Sequence, residues 1–103
     1  MQEAKDTILA AIALIENPEA WTQGAPSRDS AGLPVPPESQ QACRWCTLSA
    51  IDKVSNYDYN SWLEATLKVR DVLQKEHHFE PLAAFNDNHT HAEVLALLRK
   101  AAE

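Results

Sequence analysis

The chain has 103 residues, 45% hydrophobic and 23% charged, and its nine Lys and Arg against fifteen Asp and Glu give a net charge of −6. That balance argues against binding led by attraction to a nucleic-acid backbone, which needs a basic surface, and the scattered acids read as a solvated acidic surface. The size suits a single small helical domain over residues 1–103, with one core burying roughly two-thirds of the unfolded surface and needing no metal or disulfide support.

The apolar positions Ala4, Ile8, Ala11, Ile12 and Ile15 recur at helical spacing and predict a first helix over Ala4 to Ile15, stopped by Asn17-Pro18. The longest apolar stretch, Ile8 to Ile15, is too short to span a bilayer and no basic segment precedes it, so a cytoplasmic protein without membrane contact is expected. Trp21 to Pro37 is rich in Gly, Pro and Ser. There the turn residues Asp29-Ser30-Ala31-Gly32 predict a short β-ribbon or extended loop pairing residues 22–28 with 33–35, held on the helices by Trp21, Leu33 and Val35.

A second helix is expected from about Ser39 to Val54, with Cys43, Cys46, Thr47, Ala50, Ile51 and Val54 on its inner side. After a connection over Ser55 to Asn60, the Ser61 and Glu64 spacing predicts a capping box that opens a third helix, closed by Lys75-Glu76-His77-His78. Pro81 suits the first position of a short helical turn through Phe85. Thr90 and Glu93 then form a second capping-box pattern, predicting a last helix from about His91 to Ala102 that buries Val94, Leu95 and Leu98. The fold expected is mainly α, a four-helix domain with the ribbon or loop between helices one and two.

Residues that could carry chemistry are few. Cys43-Arg44-Trp45-Cys46 has redox or half-zinc-site spacing, but the expected helix start at Ser39 buries both thiols as small core residues, and no second cysteine pair completes a zinc set. His77-His78 reads as a solvated helix end, and His91 as a satisfied, partly buried imidazole. Asn86 and Asp87 are turn and capping residues; Arg28 and Asp29 could pair with each other or with a ligand. Trp45 and Trp62 are expected in the core, whereas Trp21, Tyr57 and Tyr59 sit in connections, where aromatics often anchor partners. No nucleophile stands at a diagnostic distance from a base, and two glycines cannot supply a phosphate cradle.

Trp21-Thr22-Gln23-Gly24-Ala25, Arg28-Asp29 with Gly32 and Pro34-Val35, Cys43 to Ala50, and Phe85 to Leu98 together resemble a family of uncharacterised small proteins of bacterial and phage genomes. Ser49 stands where that pattern has glycine, and Phe85 where it usually has tryptophan. The resemblance carries over no catalytic residue; it implies an intracellular protein acting in a phage or its host, and points to the Arg28-Asp29 loop and the Asn86-Asp87 corner as neighbours. The function expected is a small non-enzymatic protein-binding or regulatory module, such as a phage accessory protein acting on a host factor, with no cofactor or metal. Its binding candidates are Trp21, Arg28, Asp29, Tyr57, Tyr59, Asn86, Asp87 and His91. Two alternatives stay open: a small enzyme or ligand-binding protein using the Asn86, Asp87 and His91 helix start, and a zinc-stabilised adaptor using Cys43 and Cys46.

Overall fold

In the computed structural model, which describes residues 3–77 and 80–103, five α-helices surround one hydrophobic core. The helices are α1 (Ala4–Ile15), α2 (Thr47–Val54), α3 (Tyr59–His77), α4 (Leu82–Asn88) and α5 (His91–Ala101), and two short strands, β1 (Ser27–Arg28) and β2 (Arg44–Trp45), pair antiparallel. Helix α1 packs against α2, α3 and α5. Its stripe of Ile8, Ala11, Ile12 and Ile15 meets Ile51, Val69, Leu73, Val94 and Leu98, all buried. Each Ile, Val or Leu side chain so removed from water stabilises the fold by about 1.5–3 kcal/mol. No helix among the described residues is long and apolar enough to cross a membrane.

The first helix follows its apolar spacing from Ala4 to Ile15, and a 3₁₀ turn over Pro18–Ala20 follows, capped by the Asn17 side chain accepting from the Glu19 N–H at 2.9 Å. The last helix likewise begins at its capping box: Thr90 Oγ1 accepts from the Glu93 N–H at 3.1 Å, and a Glu93 carboxylate oxygen accepts from the Thr90 N–H at 2.9 Å. Leu97 is buried alongside Val94, Leu95 and Leu98.

Three expectations are corrected. Helix α2 starts at Thr47, not Ser39, because Arg44 and Trp45 extend to pair with Arg28 and Ser27; Ser39 instead closes a turn by accepting from the Gln41 N–H. Apolar spacing alone cannot separate a helix from a short strand whose partner lies far along the chain. The turn at Asp29 to Gly32 forms, with Gly32 at φ +85° and Asp29 capping the N–H groups of Ala31 and Leu33, and residue 28 bridges to Pro34. The expected pairing forms in part, the Asp29 N–H donating to the Leu33 carbonyl at 2.9 Å and the Val35 N–H to the Ser27 carbonyl at 3.1 Å, but β1 also pairs with β2, which the expected ribbon did not include, and Leu33, expected to pack inward, is 62% exposed.

The third correction concerns the helix count. The turn after Pro81 grows into α4, with Pro81 as its N-cap residue, so the described residues form five α-helices instead of four. Helix α3 opens at Tyr59, two residues before the expected box. Asp58 caps it, its carboxylate accepting from the Ser61 N–H at 3.0 Å and the Ser61 hydroxyl at 2.8 Å. These hydrogen bonds, the hydroxyl's first, hold the Asp58 carboxyl below the usual carboxylate range. His77 lies in α3, and His78 lies outside the described residues.

Candidate functional site

Asn86 is placed in the last turn of α4 and is 1% exposed. A buried amide must find partners for both its ends. The Asn86 Oδ1 accepts from Trp21 Nε1 at 2.8 Å, the Thr47 N–H at 2.9 Å and the Thr47 hydroxyl at 2.7 Å. Its Nδ2 donates to the Thr22 carbonyl at 3.0 Å and to Asp87 Oδ1 at 3.1 Å. One side chain therefore ties the loop after the 3₁₀ turn, the start of α2 and the end of α4. The Thr47 N–H is one of the unpaired donors of α2, so Asn86 caps a helix other than its own.

The neighbouring loop is fastened from the other side. Gln23 Nε2 lies within hydrogen-bond distance of the carbonyls of Asn86 (3.0 Å), Asp87 (3.3 Å) and His89 (2.8 Å), the acceptors that the end of α4 leaves free. Asp87 Oδ1 accepts from the Gly24 N–H at 3.0 Å. Gly24 sits at φ +77°, a conformation that side chains rarely adopt. Arg28 then staples the loop from within: Nε donates to the Thr22 hydroxyl at 2.9 Å, Nη1 to the Gly32 carbonyl at 2.9 Å and Nη2 to the Gln23 carbonyl at 3.1 Å. Arg28 and Asp29 thus hold groups of their own loop, its backbone and the Thr22 hydroxyl, and form no ion pair with each other among the described residues.

Where these three segments meet they leave a surface crevice of about 350 Å³. Gly24, Ala25 and Pro26 form one wall, Cys46, Leu48 and Ser49 a second, and Ala83, Asn86 and Asp87 a third. The lining is mainly apolar, and Cys46, Ser49, Asn86 and Asp87 are the lining residues with polar side chains. Cys46 is the N-cap residue of α2, half-buried, and its Sγ is 3.5 Å from Ser49 Oγ. Cys43 is exposed. Both thiols lie outside the core expected for them, because the segment they occupy is extended until Cys46.

The other candidates divide. His91 leaves the corner: its Nε2 donates to the Ile15 carbonyl at 2.7 Å and its ring lies 5.4 Å from that of Trp21. The half-buried Trp21 packs on the core and, through Asn86, is a tie within the chain. Trp45 is buried and Trp62 packs partly buried against the same core. Tyr57 is exposed in the α2–α3 turn at φ 59°, following Asn56 at φ 55°, and Tyr59 is 67% exposed in the first turn of α3 with its ring 6.0 Å from Trp62.

Gln23 and Thr47 carry the corner yet show no signal in isolation, since amides and threonines are common in loops and at helix starts. His89 likewise gains its role only from its surroundings in the fold. It meets Glu80 and Glu93 at the far side of α4; partial burial disfavours its charged form, but hydrogen bonds with Glu93 and Glu80 outweigh that and hold the imidazole above its usual range.

A family model described as a family of unknown function (DUF6197) matches residues 1–103. No curated protein and no solved structure matches the chain.

Proposed function

The chain belongs to the DUF6197 family, whose function is unknown, and from that premise we propose that it is a binding module that takes a short protein segment into the crevice between Pro26, Leu48 and Ala83. The observation that carries this reading is the lining itself: a mainly apolar slot of about 350 Å³ with one acidic residue, Asp87, in its wall. A slot of that size and character accepts one or two aliphatic side chains, and this acidic residue, on a chain of net charge −6, favours a neighbouring Lys or Arg on the partner. Binding instead of catalysis is supported by how the polar residues are used. Asn86, which lines the crevice, and Arg28, which braces the loop beside it, spend their hydrogen bonds inside the chain and act as framework. The partner is a protein of the host or of a phage in this reading.

Panning a random peptide library against the intact protein tests it. Enrichment of an aliphatic residue beside a basic one is expected, with binding lost in Ala83→Glu, which fills the slot from a solvent-facing position on α4, and weakened in Asp87→Asn. Retention of the same peptides by Ala83→Glu would sink the reading, as would an enriched consensus without any basic residue.

A further inference from the structure

Two imidazoles and a carboxylate, none of them lining the crevice, meet where the end of α3 and the two ends of α4 come together. His77 is in the last described turn of α3, Glu80 precedes α4 and His89 follows it, all three half-buried. One donor atom from each lies within 4.8 Å of the others, and Glu80 Oε2 is 3.0 Å from His89 Nε2.

The His89 ring is held in place. It stacks on the buried Phe85 with centroids 3.9 Å apart and planes at 16°, and the His77 ring meets it edge-on at 5.4 Å. Its other nitrogen, Nδ1, lies 3.3 Å from Glu93 Oε2, and Glu93 is itself anchored by the Thr90 capping box. A histidine that binds a metal almost always gives its second ring N–H to a carboxylate or carbonyl, which fixes the tautomer and aims the free lone pair at the ion. With the proton on Nδ1 toward Glu93, the Nε2 lone pair faces the Glu80 carboxylate directly. Two electron-rich atoms 3.0 Å apart repel unless a cation lies between them. A ring proton can also serve there; what a metal cation adds is a role for the third donor, His77, whose ring packs edge-on against Phe85 at 4.8 Å.

We propose that His77, Glu80 and His89 bind a divalent transition-metal ion, with Glu93 as the positioning residue for His89. Two imidazole nitrogens and one carboxylate oxygen match Zn²⁺, whereas Mg²⁺ and Ca²⁺ take oxygen donors. Three protein donors leave the fourth position of a tetrahedral ion to water or a ligand. Two surface clefts flank the cluster, one of about 200 Å³ lined by Glu80 and Arg70, the other of about 300 Å³ lined by His77 and Glu93, and either admits an ion from solvent. The site is separate from Cys43 and Cys46, which belong to no metal-competent group among the described residues.

The test is calorimetric titration of the metal-free full chain with Zn²⁺, repeated with Co²⁺ for its visible spectrum. One ion per chain is expected, with affinity falling by roughly tenfold or more in Glu80→Gln and in His77→Gln and unchanged in a Cys43→Ser, Cys46→Ser double variant. Glu80→Gln keeps the side chain's size, and circular dichroism of the metal-free variant confirms that it is folded. For Glu93→Gln, which retains the helix cap, a smaller loss is expected together with a change in the ¹⁵N shifts of the His89 ring that reports a freed tautomer. Absence of stoichiometric binding would mean that a proton alone bridges His89 and Glu80, and would overturn the proposal. Unchanged affinity in both ligand variants, or a thiolate-to-cobalt charge-transfer band, would overturn it equally.

Discussion

Asn86 and His89 stand three residues apart at the end of α4, both hydrogen-bonded more than once, and they do opposite things. Asn86 is uncharged, fully enclosed and answered mostly by groups with fixed protonation: N–H donors, a hydroxyl and a backbone carbonyl. His89 is partly open to solvent and answered by ionisable carboxylates, with another imidazole alongside. A polar residue with backbone partners and no water is part of the framework. One whose partners can each gain or lose a proton has a state left to be set by a cation. Burial and the nature of the partner separate these cases; residue type alone does not.

The largest expected effect breaks the framework half of this contrast. Asn86→Ala leaves the Trp21 and Thr47 donors and the Thr22 carbonyl without their partner inside the protein, and should lower unfolding free energy in urea by about 3 kcal/mol or more. Trp21→Phe, which removes a single donor, should cost about 1 kcal/mol. If Asn86→Ala cost no more than a surface substitution, the corner would not be a structural hub.

A smaller effect is expected on the other side. With metal removed by chelator, Glu80→Gln should change stability by less than about 1 kcal/mol, since ion pairs partly open to water are screened. A loss as large as that of Asn86→Ala would make His89 a second framework residue and erase the distinction.

The smallest effect sharpens the comparison by removing a background that belongs to neither region. The Asp58 carboxyl is held low by Ser61, so the unfolded chain binds its proton more readily than the folded one. The stability this contributes is present above the unfolded value near ~3.9 and is lost as pH falls through the lower folded value. Denaturation followed from about pH 5 downward should therefore show a shallower loss in Asp58→Asn than in the parent chain. An identical slope would show that Asp58 gains nothing from its cap.

Local chemistry decided much before any contact was known. The stripe of Ile8, Ile12 and Ile15, the stop at Asn17-Pro18, the Thr90 to Glu93 box and the turn at Asp29 to Gly32 all appear where spacing and capping put them, because each depends on residues within a few positions of one another. The motif pattern also led to a family without a known function, which the match over residues 1–103 bears out. Only the tertiary structure decided what the polar residues meet. Arg44 and Trp45 form a strand because Ser27 and Arg28, 16 or more positions earlier, offer backbone partners; Asn86 caps a helix that starts 39 residues before it. His89 finds Glu80 and His77 because α4 turns the chain back on the end of α3. A hydrogen-bonding group bears no mark of its distant partner, and the free energy that selects one comes from excluding water around the pair, which no run of neighbouring residues can do alone.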